Sequence, residues 1–195
     1  MPKPDRPCFD KTWIARCRVR LGSISECRRF FRAHYLRTRP AVVPLILTIE
    51  VDGLPSGMVC FALPPKETSV RYGCACWELA RLWLDDSMPT NAETWAIAQA
   101  VRYVKKHHPE IGLLVSYADP SVGHQGTIYL AANWEREGRT DEGRKTAKFD
   151  YTVTEPTLFG EEVKRFSRAA HVPEGATVGR LARVSKPRFI YRLRK

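Results

Sequence analysis

The sequence lacks several features that would point to particular classes of protein. Among its 195 residues, no apolar run approaches the roughly 20 residues that a membrane-spanning helix needs. The opening MPKPDRPCFDKTW lacks the apolar core of an export signal, so we expect a cytoplasmic protein without a membrane partner. The six cysteines include no CxxC pair, which argues against a zinc ribbon, and without an export signal disulfides are not expected.

Acidic residues are scarce towards both ends of the chain. Residues 1–40 hold 11 Lys and Arg against three acids, and residues 164–195 hold 10 against one. The formal net charge is +11, so the middle of the chain is mildly acidic. Two basic ends are typical of a surface that contacts phosphate backbones. The alternative is a basic surface that aids solubility.

The first third of the chain predicts a strand, a helix and a hairpin. Period-two alternation over residues 11–22 is typical of a half-buried strand with an arginine face. A helix follows between residues 23 and 37. The apolar segments 45–51 and 56–62 predict a hairpin, and residues 66–73 a loop.

The middle of the chain predicts two strands, each followed by a helix. The apolar run over residues 74–85 favours a strand because it is rich in aromatic residues and cysteine. Thr90 and Asn91 can cap a long helix, which Pro109 ends. Another apolar run opens the stretch 111–140 and predicts a buried strand.

The last third is less regular. After residue 140 a polar loop leads to a strand at 148–153. Residues 155–185 are weakly patterned and basic, with a helix expected around 161–170, and an alternating strand closes the chain at 186–194. The order of elements predicts one domain over residues 1–195, of α/β or α+β class with mixed strand pairing.

Polar residues gather within residues 111–140, at the end of the predicted strand. Ser116 and Asp119 follow the apolar run, Gly123 allows a tight turn, and a short helix brings in Tyr129. Ligands usually bind at the carboxyl edge of the strands in α/β proteins, so this stretch predicts a functional site.

Several blocks of the chain resemble known proteins. A long helix between two apolar strands, with a short helix after the second, resembles the GNAT acyltransferase fold. The stretch SYADPSVGHQGTIYLAANWEREGRT is similar to the signature of the Mom family, phage proteins that modify DNA adenines. Further blocks of that family are similar to residues 34–40, to residues 78–82 and to the closing KPRFIYRL.

The resemblance implies a fold and an activity. The fold would have a mostly antiparallel central sheet, flanked by helices, in which two central strands splay apart. The activity would add a carbamoylmethyl-type group to the exocyclic N6 amine of adenine in DNA, protecting phage DNA from restriction in a phage-infected or prophage-carrying bacterial host. Acetyl-CoA or a related acyl donor, and a bound iron, are the cofactors that it implies.

The resemblance also suggests where the acyl donor would bind. Its arm would lie between the strands around residues 82–84 and 113–116, and its pyrophosphate would sit at the start of the long helix, because a free helix N-terminus suits an anion. The usual glycine-rich loop of GNATs is absent from DDSMPTNAET. The predicted cofactor-binding residues are Leu82, Trp83, Leu84, Thr90, Asn91, Ala92 and Ser116.

Five residues are predicted to be catalytic. Adenine's amine must lose a proton as it attacks, so a base near neutrality helps, and His34 has a suitable reference pKa. Asp119 could be the base or orient the ring, and Tyr129 could protonate the departing thiolate. Arg81 could pair with a phosphate or hold Asp119 charged, and Tyr35 could stack on the base. Each also has a structural alternative: a solvated histidine, a core tyrosine, a turn-forming aspartate.

The metal ligands and the DNA contacts are less specific. His34, Asp119 and His124 could hold iron if the fold brings them together. The predicted DNA-binding residues are Arg16, Arg18, Arg20, Arg37, Arg39, Arg188 and Arg192. Two other functions fit the sequence: a GNAT-type N-acetyltransferase acting on a protein or small-molecule amine, and a non-catalytic DNA-binding protein.

Overall fold

A seven-stranded sheet forms the centre of the computed structural model, which describes residues 10–36, 38–142, 148–158, 160–166 and 169–194. Its strands are β1 (Cys17–Leu21), β2 (Leu45–Val51), β3 (Leu54–Ala62), β4 (Cys76–Leu84), β5 (Leu113–Tyr117), β6 (Glu135–Arg139) and β10 (Pro187–Arg192). A smaller sheet holds β7 (Phe149–Thr157), β8 (Gly160–Phe166) and β9 (Val178–Ala182). The α-helices are α1 (Lys11–Arg16), α2 (Arg28–Ala33), α3 (Lys66–Tyr72), α4 (Ala92–His107) and α5 (Thr127–Ala131).

The strand order of the large sheet is β1-β2-β3-β4-β5-β10-β6. Every neighbouring pair is antiparallel except β4 and β5, which run parallel with α4 as their crossover. The prediction of a mixed, mostly antiparallel sheet flanked by helices is therefore confirmed. None of the helices in the described part of the chain has the length and hydropathy to cross a bilayer.

The two parallel strands separate part of the way along. They pair at three positions only, the last of which joins Glu78 to Val115, although β4 continues to Leu84. Ala80 is an extra residue in β4 relative to β3, since Leu79 and Arg81 oppose successive residues of β3. Such a bulge bends its strand and increases the local twist, which turns β4 away from β5. The splay that we predicted is present.

Side chains alternate along the strands, so the sheet has two differently covered faces. On the first, which we call the α4 face, Ile97 of α4 and Tyr129 of α5 pack with strand residues such as Leu114. On the second, the α2 face, Phe30 of α2 packs on β2 and β3, and Tyr72 of α3 packs on β5 and β10. The register of β3, β4 and β5 puts these last two clusters on the same side of the sheet.

Several predicted elements are present for the expected reasons. The α4 helix buries Ala96, Ile97, Ala100 and Val104 along one side and ends just before Pro109. In the hairpin of β2 and β3, both turn residues, Asp52 and Gly53, have positive φ, as the right-handed twist of two-residue hairpins requires.

Three predictions for the first half are wrong. Residues 11–16 form a helix rather than a strand, because the Asp10 carboxylate caps it by accepting from the backbone N–H groups of Thr12 and Trp13. The next helix, α2, ends at Ala33 instead of running to residue 37. The expected loop at 66–73 contains α3, which Gly73 ends in a left-handed conformation.

The segment 155–185 also differs from its prediction. The helix expected around 161–170 is wrong: residues 160–166 form β8, which pairs with β7 over seven positions. Strands β6 and β9 were not predicted either. Short polar strands such as these owe their conformation to their pairing partners more than to their own sequence.

Candidate functional site

A cleft of about 590 Å³ opens where β4 and β5 separate. It is lined by residues from both faces of the sheet and by the loop between β5 and α5. The polar residues that line it are His34, Tyr35, Glu78, Arg81, Glu93, Tyr117, His124, Gln125, Thr127, Tyr129, Thr140 and Lys186. Residues distant in sequence, from the end of α2 and from the glycine-containing turn before α5, thus line one cleft. Asp119, which was predicted to share it, is not among the lining residues and lies at a neighbouring cavity with Ser121 and Lys186.

His34 lies directly after α2, with its backbone N–H donating to Phe30 O. Its Nδ1 accepts a hydrogen bond of 3.1 Å from the backbone N–H of Leu36, so the ring proton is on Nε2. Burial, helped by the nearby Arg81 and His124, lowers the pKa of His34 to about 4. A neutral ring whose lone pair is already occupied acts as a donor through Nε2–H. This geometry does not favour His34 as the base.

Tyr35 forms an aromatic wall beside His34. Its ring centroid lies 4.5 Å from that of His34 and 5.1 Å from that of His124, the latter in an edge-to-face arrangement. The side chain keeps 38% of its surface exposed, so a planar ligand could stack on it. Burial raises the pKa of the Tyr35 phenol, so that it stays protonated at neutral pH.

Glu78 is the carboxylate at the point where the strands separate. It is the last residue of β4 paired with β5, and it points to the α2 face. Burial raises the pKa of Glu78, and the charges of Arg81 and Lys186 offset part of that rise. Within the described ranges it has neither a hydrogen-bond nor an ion-pair partner. The site prediction omitted Glu78, although a single acid within the apolar run CACWELARLWL was a usable signal.

Arg81 does not hold Asp119 charged, as one expectation had it. Its guanidinium donates to Thr38 O at 3.1 Å and to Ala80 O at 2.7 Å, which ties the chain after α2 to β4. Burial lowers the pKa of the Arg81 guanidinium. Through these two hydrogen bonds, Arg81 fixes the segment after α2, which carries His34, to β4 beside the cleft.

Asp119 is held instead by Lys186. Its Oδ2 lies 2.7 Å from Lys186 Nζ, and its Oδ1 accepts from the backbone N–H and the hydroxyl of Ser121. Burial would raise the pKa of Asp119, but hydrogen bonds from Lys186 and Ser121 outweigh it and lower the pKa. Both oxygens are therefore engaged in fixing the turn at residues 120–122 to the start of β10.

Tyr129 and Ser116 form a short hydrogen-bonded chain on the α4 face. Ser116 Oγ lies 2.8 Å from the Tyr129 hydroxyl and 2.8 Å from Leu79 O. Because the carbonyl can only accept, the serine proton points either to Leu79 or to Tyr129. Burial raises the pKa of Tyr129 to about 12, against a smaller opposing effect of the Ser116 hydrogen bond. The tyrosine therefore keeps its proton throughout the neutral range.

The predicted cofactor-binding residues divide between the two faces. Leu82 lines the cleft and Leu84 packs on the core of the α4 face. Trp83 points to the α2 face, where the centroid of its ring lies 5.0 Å from that of Phe30 in a stacked arrangement. It therefore does not lie on the α4 face with Leu84. Ser116 is buried beneath the cleft.

The start of α4 is suited to an anion. Asn91 precedes the helix with positive φ and no side-chain cap, while Thr90 is exposed and Ala92 is buried. Uncapped N–H groups and the helix dipole favour a pyrophosphate there. The residues present therefore fit an acyl-CoA.

The residues present do not fit iron. In the part of the chain that the structure describes, no group of three or more His, Cys, Asp or Glu side chains could hold a metal. Asp119 uses its oxygens on Ser121 and Lys186, and His34 uses Nδ1 on Leu36. His124 belongs to the same cleft but has no such set of ligands around it.

Three of the seven predicted DNA-binding arginines are engaged within the protein. Arg16 pairs with Asp52, and Arg20 pairs with Glu26 and with Glu50. Buried Arg188 donates to Glu137 O at 3.0 Å. The exposed arginines of this set are Arg18, Arg39 and Arg192, and Arg37 lies outside the described residues. Their DNA-binding role stays a prediction.

The splayed sheet, its crossover helix and the cleft between the two parallel strands define a GNAT-type fold. The chain is similar to a Drosophila melanogaster polyamine N-acetyltransferase (TM-score 0.52, 9% identity, 90% of this chain and 99% of that one). It is also similar to yncA of Salmonella typhimurium, solved with its cofactor acetyl-CoA (TM-score 0.50, 8% identity, 92% and 95%).

Within that fold, the chain belongs to the Mom protein family, whose model matches residues 27–195. It is 38% identical over 58 residues to the methylcarbamoylase mom of Escherichia phage Mu. That match covers 30% of this chain and 24% of the phage Mu protein. The family assignment made from the central motif is confirmed.

Proposed function

We propose that the protein modifies DNA by placing a carbamoylmethyl-type group on the N6 amine of adenine, with an acyl-CoA-type thioester as donor. One observation carries this: one cleft crosses the sheet, with a carboxylate that has no partner among the described residues on one face and a buried phenol on the other. Membership of the Mom family, and the name of the phage Mu relative, a methylcarbamoylase, support the proposal. Protection of phage DNA from restriction follows from the modified base.

The α4 face would take the donor. When bound, a thioester would supply a carbonyl carbon that is activated towards the adenine amine. Attack on that carbon would form an N6-acyl adenine and release the CoA thiol. A carbamoylmethyl group, which is joined to N6 through CH₂ and carries an amide nitrogen, requires a further nitrogen donor and a rearrangement after this step. The N-terminal end of α4, which begins at Ala92 directly after Thr90 and Asn91, would hold its pyrophosphate through the free backbone N–H groups of the first turn. Leu82 would provide apolar contact to its arm inside the cleft.

The α2 face would take the adenine. A base in a duplex must be flipped out or taken from single-stranded DNA, and it is then held by stacking and by hydrogen bonds to its edge. Tyr35 offers the stacking surface, and His34 Nε2–H offers a donor to a ring nitrogen. Glu78 is placed to accept the proton that the amine loses, and its raised pKa suits a base that works near neutrality.

Tyr129 would assist the leaving group from the opposite face. Its high pKa keeps the phenol protonated, so it can donate a hydrogen bond or a proton to developing negative charge. If the proton leaves, the Ser116 hydroxyl can rotate from Leu79 O and donate to the phenolate. Ser116 is then a positioning residue for Tyr129 and does not contact the acyl group.

The test is coexpression with a plasmid, followed by digestion of the DNA to nucleosides and mass spectrometry. We expect a fraction of deoxyadenosine to gain the mass of the adduct, and plasmid modified in this way to resist restriction enzymes whose sites contain adenine. Glu78→Gln should abolish the adduct while Glu135→Gln, an exposed acid on β6, should leave it. An unmodified adenine pool with soluble, folded protein would contradict the proposal.

The same samples separate the other two functions that fit the sequence. A non-catalytic DNA-binding protein would leave adenine unmodified but bind DNA in a salt-sensitive way. An N-acetyltransferase for protein or small-molecule amines would leave adenine unmodified while consuming acetyl-CoA in the presence of such amines.

A further inference from the structure

We propose that helices α2 and α3 form the surface that binds the DNA backbone, through Arg28 and Arg32 on α2 and Lys66 and Arg71 on α3. This inference rests on the proposed function, since it names the surface that would bring the DNA to the cleft. It replaces the arginine row of β1 as the main phosphate contact.

Both helices border the acceptor side of the cleft. The α2 helix leads directly into His34 and packs against β4 through Phe30. The α3 helix packs Tyr72 beside β5 and β10. Burial raises the pKa of Tyr117, which lines the cleft, and Thr68 of α3 lies close enough to oppose that rise. The cleft opening on the α2 face therefore has one helix on each side.

The four cations are exposed and have no hydrogen bond or ion pair within the described ranges. The neighbouring Arg29 differs, because it donates to Pro55 O and lies over the Phe30 ring. The two helices together carry five cations and a single acid, Glu67. Charge that is not neutralised inside the protein is available to phosphates.

Arg16, at the end of α1, and the arginines of β1 are placed less well for this role. Strand β1 is the edge of the large sheet, separated from β4 by β2 and β3. Arg16 and Arg20 would have to leave Asp52, Glu26 and Glu50 before they could bind phosphate. A nucleotide flipped into the cleft keeps phosphates on both of its sides, and these would meet α2 and α3.

Fluorescence anisotropy with a mixed-sequence duplex, over a series of salt concentrations, tests the assignment. Arg28→Ala/Arg32→Ala and Lys66→Ala/Arg71→Ala should each weaken binding at low salt and reduce the slope of log K against log salt by about two. Arg102→Ala/Lys106→Ala removes the same charge from the exposed side of α4, on the opposite face, and should leave the slope unchanged.

Glu67→Gln gives an expectation of opposite sign, because removing the single acid of this surface should strengthen binding. The surface would be misassigned if the α4 pair weakened binding as much as the others, or if the α2 and α3 pairs bound like the wild type. Circular dichroism of each variant confirms folding. A wrong surface leaves wild-type adenine modification intact, whereas a wrong function removes it, so the two failures are distinguishable.

Discussion

The two faces of the cleft differ in how far their polar groups are already satisfied. On the α4 face, Tyr129, Ser116 and Leu79 O close a chain of hydrogen bonds on one another. On the α2 face, the Glu78 carboxylate and His34 Nε2–H have no partner among the described residues. Unsatisfied polar groups at a partly buried site are suited to a ligand, whereas a closed chain is suited to a fixed role. This difference supports our proposal that the nucleobase binds on the α2 face.

Glu78→Gln, on the α2 face, should have the largest effect on activity. It keeps the shape of the side chain but removes the proton acceptor, so we expect adenine modification to fall by about 10²–10⁴-fold. The wild-type rate should also fall on acidification through a pKa above the ordinary glutamate value, since burial raises the pKa of Glu78. Single-turnover rates across pH check both; a Gln variant that retained the acidic limb would show that another base acts.

Tyr129→Phe should have a smaller effect, of about 10²-fold, because a phenol with a pKa near 12 is a weak proton donor. Ser116→Ala should give part of that loss and steepen the dependence of the rate on the leaving-group pKa, since the phenolate would lose its donor. Rates with a series of thioesters measure this. Equal rates for Tyr129→Phe and the wild type would restrict Tyr129 to packing.

Gly126→Ala tests how firmly α5 is placed on the α4 face. Gly126 has φ of 82°, and a Cβ there would lie 2.2 Å from the Phe189 ring. We expect a loss of about 2–3 kcal/mol in the free energy of unfolding, from the backbone strain and the displaced ring. Gly123→Ala is the matched control, because it shares the positive φ with no atom within 4 Å, and should cost only about 1 kcal/mol. Urea unfolding measures both.

The smallest expected effect is on the pH dependence of the free energy of unfolding, through His34 on the α2 face. Because burial lowers the pKa of His34 to about 4, the unfolded chain binds a proton that the folded chain refuses. His34 therefore lowers the free energy of unfolding as pH falls from about 6.5 to about 4. His34→Gln should flatten that part of the curve, and His107→Gln, on the exposed end of α4, should not. Identical curves would mean that His34 titrates freely.

Sequence patterns predicted the elements whose conformation is decided locally. Spacing and turn residues identified the long apolar repeat of α4, the Asp52–Gly53 turn and the buried strand β5 (Leu113–Tyr117). Alternation failed over residues 11–16, where the Asp10 cap decides in favour of a helix. The helix expected around 161–170 was wrong because hairpin pairing with the preceding β7 holds residues 160–166 as a strand.

The site was predictable in its membership more than in its roles. His34, Tyr35, Arg81 and Tyr129 do line one cleft. Their contacts were not predictable: Leu36 N–H, two residues further on, occupies the lone pair that a histidine base would need, and distant Lys186, not Arg81, holds Asp119. Only the fold reveals such pairings.

The position of β10 has a consequence for how the molecule is made. This strand, at residues 187–192, lies between β5 and β6, both of which come much earlier in the chain. The ribosome must synthesise the chain as far as residue 192 before the middle of the sheet can close. A chain interrupted after β9 would leave β5 with an open edge beside Tyr117, a surface prone to aberrant pairing with other chains.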